Sequence, residues 1–349
     1  MRVFITILSL QAAGEQEKPV KGRGQILALT SSKGGVGKTH LAVGLATAMS
    51  KRNARVLLID ADLGNGIISD RLGFYPRSNL CHFFAKEKAL EDLIEETPHG
   101  FSLIGGERGN IALANLNYLQ KIKFLRSFIK ISREFDFVVL DLASGITRHV
   151  IDFALLAQRT IVVTSPDDLI SAYGSIRACF SRFIQLESQV RKRVEGYRAR
   201  QFFRPLLLVN HVRDFYQGKA AFEALEGAVE NRLNGAVGPF KTRMEYLGAV
   251  FHDPGLFRKS EEGRCPVSTV SLYSKVAFCI DSIAGAVVTP APSLGFDREK
   301  HLRYALQIFT EQQERLRKGF ARKVMKVYPV RIPFRHSGAS VSPPRRTAV

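Results

Sequence analysis

The residues best equipped for chemistry lie in one short stretch, "TSSKGGVGKTH", residues 30–40. It carries two lysines, Lys33 and Lys38, around Gly34, Gly35 and Gly37. Glycines let the main chain approach oxyanions closely and take φ values that other residues avoid. An apolar run precedes the stretch and a helical pattern follows it. In that context the N–H groups of Gly35, Val36, Gly37, Lys38, Thr39 and His40 are expected to point at phosphate oxygens, helped by the helix N-terminus. Lys38 would bridge the β- and γ-phosphates of a nucleotide, and the Thr39 hydroxyl would sit on Mg²⁺. A glycine-rich turn also joins a strand to a helix by packing alone, but the Gly-Lys-Thr ending argues for phosphate.

Carboxylates come next. "VLLIDADLGNG" ends an apolar run in Asp60 and Asp62, and "FDFVVLDLASGI" (135–146) ends another in Asp141. Open α/β sheets bind ligands at the carboxyl ends of their strands, so all three are expected to point toward the phosphate loop. Asp141 would hold Mg²⁺ through water; taken alone, it could equally cap the next helix. Gly145, in the loop that follows, is placed to sense a γ-phosphate. "LLLVN" ends in Asn210, whose amide both donates and accepts and so suits adenine. A helix or turn cap is the alternative role for Asn210.

These groups need a scaffold. "QILALTS" (25–31), "RVLLID" (55–60), "FSLIGG" (101–106), "FDFVVLD" (135–141), "RTIVVTS" (159–165), "RPLLLVN" (204–210) and "LGAVF" (247–251) read as strands. Their near-continuous apolar character is that of a parallel sheet covered on both faces. Helical patterns such as 39–52 and 114–132 lie between them. The expected fold is therefore α/β: a doubly wound, mainly parallel sheet with helices on both faces, plus a basic C-terminal helix. The expected organisation is an extension over 1–24, an ATPase domain over 25–286 and a linker over 287–299. A basic amphipathic tail would follow over 300–330, and a disordered end over 331–349. The extension opens with "MRVFITILSL", which has the charge and apolar run of a short leader but no convincing cleavage site.

The chain has 349 residues, 45% of them hydrophobic, enough for a full core. Its net charge is +19, which calls for an acidic partner: nucleic acid, an anionic membrane face or an acidic protein. The four cysteines, Cys81, Cys179, Cys265 and Cys279, form no CxxC pair, which argues against a cluster held within one chain and fits a reducing cytosol.

Residues 33–39, KGGVGKT, match without a gap the signature of the deviant Walker A ATPases, the MinD/ParA group, and the resemblance covers about residues 25–285. It implies ATP and Mg²⁺ as cofactors and slow, partner-stimulated hydrolysis to ADP and phosphate. It also implies an ATP-dependent homodimer in which Lys33 reaches the nucleotide of the other subunit, much as an arginine finger does. The alternative for Lys33 is a solvated loop lysine. The resemblance assigns Asp62 to positioning the attacking water and Asp60 to the Mg²⁺ surroundings. Residues 248–267, with Asp253 and Pro254, resemble the segment that closes over the base. "DADLG", "LDLASGI" and "TSPD" look most like the MinD and FlhG branch, whose members position the division septum or set the number and placement of flagella. Three departures stand out. Ser32 occupies the first glycine of the plain phosphate-loop pattern, and Ile67 and Ser69 occupy places where the family usually has Asn and Asp. Ser171 stands where Asp is common. "LQAAGEQ" (10–16) lacks the Asp, Leu and Arg of the DQAxxLR motif found in many FlhG proteins.

From Lys300 to Val349 there are twelve Lys/Arg against two Glu. Leu302, Leu306, Phe309, Leu316, Phe320, Val324 and Val327 recur at spacings of three or four, apart from one polar break. A basic amphipathic helix of this kind suits the anionic cytoplasmic face of the inner membrane; packing on its own domain or contact with nucleic acid are the alternatives. The basic stretch "RKRVEGYRARQFFR" (191–204) reads as the solvated side of a long helix or as a DNA contact. The regulatory protein partner expected of this family carries no signature in the chain.

Overall fold

The computed structural model describes residues 24–110, 118–193, 197, 199–235, 238–254 and 274–289. The chain divides into Met1–Phe296 and Asp297–Val349. The second unit, with the expected basic tail, lies outside the described residues, as do the N-terminal extension through 23 and the linker from 290.

Seven of the eight strands of the central sheet run parallel. In chain order they are β1 (Gln25–Ser31), β2 (Val56–Ala61), β3 (Glu95–Glu96), β4 (Ser102–Ile104), β5 (Phe137–Ser144) and β6 (Arg159–Thr164). A two-residue β7 (Phe202–Phe203), β8 (Leu206–Val212), a two-residue β9 (Lys241–Thr242) and β10 (Glu245–Phe251) follow. The order across the sheet is β10-β8-β6-β1-β5-β2-β4-β3, with β3 antiparallel at one edge. β7 and β9 form a separate parallel pair. The described helices are α1 (Lys38–Ser50), α2 (Ile68–Leu72), α3 (Leu80–Phe84), α4 (Tyr118–Ser132), α5 (Arg148–Leu156), α6 (Leu169–Arg193), α7 (Phe215–Val229) and α8 (Lys275–Val288).

Side chains alternate across a strand, so each strand serves two layers. Ile26, Ala28, Leu57, Ile59, Val138 and Leu140 face a core built with Phe83, Phe124, Phe128, Phe153, Phe180 and Phe222. Their neighbours Leu27, Leu29, Leu58 and Val139 are as fully buried, on the face where α1 and α8 pack together. All seven expected strands are present, and the doubly wound fold is as expected. The two-residue strands carry no periodicity and escape sequence reading. α8 continues to Val288, two residues into the span expected as linker, because Val287 is fully buried.

The sheet grows outward in both directions from β1: β5, β2 and β4 on one side, β6, β8 and β10 on the other. That reversal puts the β1–α1 loop over the crevice where ligands of open sheets bind.

Candidate functional site

The phosphate loop follows β1 and ends at the first turn of α1. Gly35 and Gly37 have φ of 82° and 84°. A side chain is excluded at Gly37 on a second ground, since a Cβ there would lie 2.3 Å from Asn210 Nδ2. Lys38 is buried, and its Nζ donates to Asp141 Oδ1 at 3.0 Å. Asp141 is a register partner of both Leu29 on β1 and Asp60 on β2, so two buried carboxyls stand side by side at the strand ends with one ammonium group.

The electrostatics follow from that crowding. Burial, with Asp141 beside it, pushes Asp60 up to about 7, although its oxygens accept from the N–H groups of Ile68 at 3.0 Å and Asp62 at 3.3 Å. Burial also raises Asp62; Lys38 opposes that shift and Asp141 adds to it. Asp141 Oδ2 is buried with no hydrogen-bond partner. An orphaned carboxylate oxygen beside a second strained carboxyl is what a divalent cation would relieve. The donor set of Thr39, Asp60 and Asp141 fits Mg²⁺, which takes one or two carboxylates and keeps several waters. Among the described residues no group of three His, Cys, Asp or Glu side chains is placed to hold a metal ion.

The loop after Asp62 is held from outside. Gly66 N–H donates to the Glu107 carbonyl at 3.3 Å, and Gly109 N–H to that of Gly64 at 3.0 Å. Gly106 backs directly onto Asp60, because a Cβ there would meet Asp60 Cγ at 2.9 Å.

Asn210 and Asp253 come together at one pocket beside the phosphate loop, lined also by Gly37, His40, His211, Phe251, His252 and Ile280. Asn210 Nδ2 donates to the Val36 carbonyl at 2.9 Å, which ties the loop to the end of β8. Burial, reinforced by Arg71 and His211 and opposed by Asp141, lowers His40 to about 4, so it is neutral at pH 7. His211 holds a left-handed φ of 60°, and its ring meets that of His252 at 5.2 Å and 78°. Burial and then His252 lower its pKa. Nothing in the spacing of His211 and His252 marks them for this pocket. Residues 255–267 of the expected base-closing segment lie outside the described residues.

Lys33 is exposed. Its carbonyl accepts from Ser31 Oγ at 3.0 Å, and Gly145 N–H donates to the Ser31 carbonyl at 2.8 Å. Ser32 Oγ donates to the Ser171 carbonyl and lies 2.7 Å from Ser175 Oγ, both on α6. Two large apolar side chains adjoin these bonded residues in sequence and lie in the open: Ile146, next to Gly145, is 54% exposed, and Ile170, next to Ser171, is 90% exposed. Sequence reasoning missed Ser175, Ile146 and Ile170. No described helix is long and apolar enough to cross a membrane.

Comparison with known proteins agrees with this geometry. A family model described as an AAA domain matches residues 24–195. The antiactivator FleN of Pseudomonas aeruginosa is 33% identical over 155 residues, which are 44% of this chain and 55% of FleN. The flagellum site-determining protein YlxH of Helicobacter pylori is 27% identical over 274 residues, 77% of this chain and 83% of YlxH. Among solved structures, the septum site-determining protein MinD of Pyrococcus horikoshii complexed with Mg-ADP superposes with a TM-score of 0.52 at 19% identity, covering 77% of this chain and all of that one. With the KGGVGKT loop seated over the switch point of a mainly parallel sheet, the chain is similar to the MinD/ParA deviant Walker A ATPases in its loop sequence and in its fold.

Proposed function

We propose that the chain is an ATP-dependent dimerising switch with weak ATPase activity, cycling between cytosol and the inner membrane face to regulate the placement or number of a cellular structure. The observation that carries the reading is the buried Lys38–Asp141 pair beside Asp60, with Asp141 Oδ2 left orphaned at the foot of the phosphate loop. Lys38 exchanges Asp141 for the β- and γ-phosphates of ATP. Thr39, Asp60 and Asp141 would hold Mg²⁺, which would supply positive charge against the phosphates. Gly34, Gly35, Val36 and Gly37 supply the main-chain cradle, and Thr39 and His40 open the helix. Asp62 accepts a hydrogen bond from the attacking water and so orients it. Asn210 and Asp253 border the pocket next to the loop, where the base would lie.

The dimer reading is supported by the exposure of Lys33 and by the exposure of Ile146 and Ile170, whose neighbours Gly145 and Ser171 are bonded to the loop. A cation from a second copy neutralises γ-phosphate charge once apolar neighbours exclude water. The names of FleN, YlxH and MinD, an antiactivator and two site-determining proteins, support a positioning role. The tail over 300–330 supplies a basic membrane contact, and dimerisation doubles it.

The competing reading is a partition ATPase that binds DNA nonspecifically, favoured by the basic stretch at 191–204. Co-sedimentation of the full chain with anionic vesicles and with DNA, in ATP and in ADP, separates the two. The switch predicts ATP-dependent vesicle binding that is lost on deleting 300–349. ATP-dependent DNA binding that survives the deletion contradicts it. Phosphate release by Asp62→Ala is expected to fall at least tenfold, on the order expected for loss of a water-positioning group; a rate equal to wild type removes Asp62 from the mechanism.

A further inference from the structure

We infer that Ser32 and Ser175 form a clasp that positions Lys33, holding its main chain against α6 before nucleotide or a second subunit arrives. The inference rests on the reading of Lys33 given above and names the groups that aim it.

The two hydroxyls account for each other. A serine hydroxyl has one proton to give. Ser32 Oγ gives its proton to the Ser171 carbonyl, so it accepts from Ser175 Oγ, 2.7 Å away. Ser175 is only 2% exposed, so water does not replace that contact, and a buried hydroxyl without a partner is costly. The far side of the clasp is fixed in turn. Ser171 Oγ donates to Asp168 Oδ1 at 2.6 Å, and Thr164 Oγ1 donates to the Asp168 carbonyl at 3.1 Å. Residue 32 is therefore tied through the first turns of α6 to the end of β6. On the other side of the lysine, the Lys33 carbonyl is held by Ser31 Oγ. Lys33 has an exposed side chain on a main chain pinned both before and after it.

Two of the sequence's departures meet here, one from the plain phosphate-loop pattern and one from the form common in the MinD/ParA group. Ser32 stands at the first glycine of the plain phosphate-loop pattern, and Ser171 stands where Asp is common. A glycine at 32 has no hydroxyl to give to α6. The substitution at 32 is thus explained as a tether between the loop and the helix, and it acts on Lys33 rather than on the phosphate cradle. A group pre-set in its working direction lowers the ordering cost of forming the assembled site. Loss of the clasp should therefore weaken steps that use Lys33 and spare nucleotide binding.

The test uses the full chain with Ser32→Ala, Ser175→Ala and the double variant. In nucleotide-free protein, hydrogen exchange at the Gly145 amide, which donates to the Ser31 carbonyl beside the clasp, should quicken about fivefold in Ser175→Ala, the value of one hydrogen bond, and at least as much in Ser32→Ala, which also loses the bond to the Ser171 carbonyl. With ATP, kcat should fall about fivefold and the dimer should weaken to a similar degree, while KM and the Kd for a fluorescent ATP analogue stay within about twofold. The double variant should be no worse than Ser32→Ala, because Ser32→Ala already removes the contact that Ser175→Ala breaks. Exchange and kcat unchanged in both single variants, additive losses in the double, or a loss carried by KM alone would overturn the clasp. If Ser175→Ala does not fold, the half-buried Ser32→Ala decides the matter by the same readings. The exchange measurement needs no activity, so wild type that neither dimerises nor turns over ATP would sink the functional reading and leave this one to be judged on its own.

Discussion

Replacing Gly37 by alanine strains the phosphate loop in two separable ways. Its φ of 84° and ψ of 16° lie in the left-handed region, where a Cβ costs about 1–2 kcal/mol. The same Cβ would sit 2.3 Å from Asn210 Nδ2. The Asn210 side chain must swing away, and its bond to the Val36 carbonyl breaks. Leaving that buried acceptor unpaired costs about 1–3 kcal/mol more. Gly37→Ala should therefore destabilise the nucleotide-free protein by about 2–5 kcal/mol, taking the two terms together. Asn210→Ala alone loses only the second term, about 1–3 kcal/mol. In the double variant the methyl group added at position 37 meets no amide, so the hydrogen bond is counted once and the backbone term once. The cycle should be sub-additive by about 1–3 kcal/mol, the size of the shared term. Urea denaturation of the four proteins without nucleotide measures it. Strict additivity would show that Asn210 does not support the loop and would return it to the alternative role of turn cap.

Other consequences are as direct. Glu187 is fully buried; it accepts from Tyr197 Oη at 2.8 Å, from Arg200 N–H at 2.9 Å and from Arg200 Nε at 2.8 Å. Glu187→Gln turns an acceptor into a donor against those groups and uncouples a buried charge, so urea denaturation should show a loss of about 3–5 kcal/mol; a change under about 0.5 kcal/mol, the usual surface range, would contradict the geometry. Asp136 is held below its ordinary value, chiefly by the Arg55 N–H at 2.8 Å and secondarily by the Arg55 side chain. A depressed carboxyl stabilises the fold above its unfolded pKa of 3.8 and loses that contribution as pH falls through the folded value. Discounted for its partial exposure, the Asp136→Ala gap should be at most about 1 kcal/mol at pH 7, closing as the solution is taken below the unfolded pKa; a gap that widens in acid would contradict the sign.

How legible the molecule was depended on the length scale of each signal. The sheet's main strands announce themselves because burial on both faces leaves four consecutive apolar residues, as in the VLLI of "VLLIDA" and the LLLV of "LLLVNHV". β3, with Glu95 and Glu96, is too short to show any period and exists only because β4 offers an edge. The phosphate loop could be read from spacing, since Gly35 and Gly37 take the conformations glycine permits. Asn210 was legible as a polar group at a strand end, but its partner, the Val36 carbonyl, is set by topology. Ser32 and Ser175 lie 143 positions apart, and only the pairing of β1 with β6 brings them together. No local pattern encodes such a contact. The same holds for His211 and His252, whose rings meet because β8 and β10 are neighbours.

Sedimentation velocity of wild type and Lys33→Ala, each with saturating ATP and Mg²⁺, tests the central claim most directly. Two copies facing each other across their nucleotides predict a wild-type dimer that forms with ATP and not with ADP. They predict a Lys33→Ala protein that binds ATP within about twofold of wild type yet sediments as a monomer. A Lys33→Ala dimer of undiminished affinity, or a wild type that remains single with ATP bound, would contradict it.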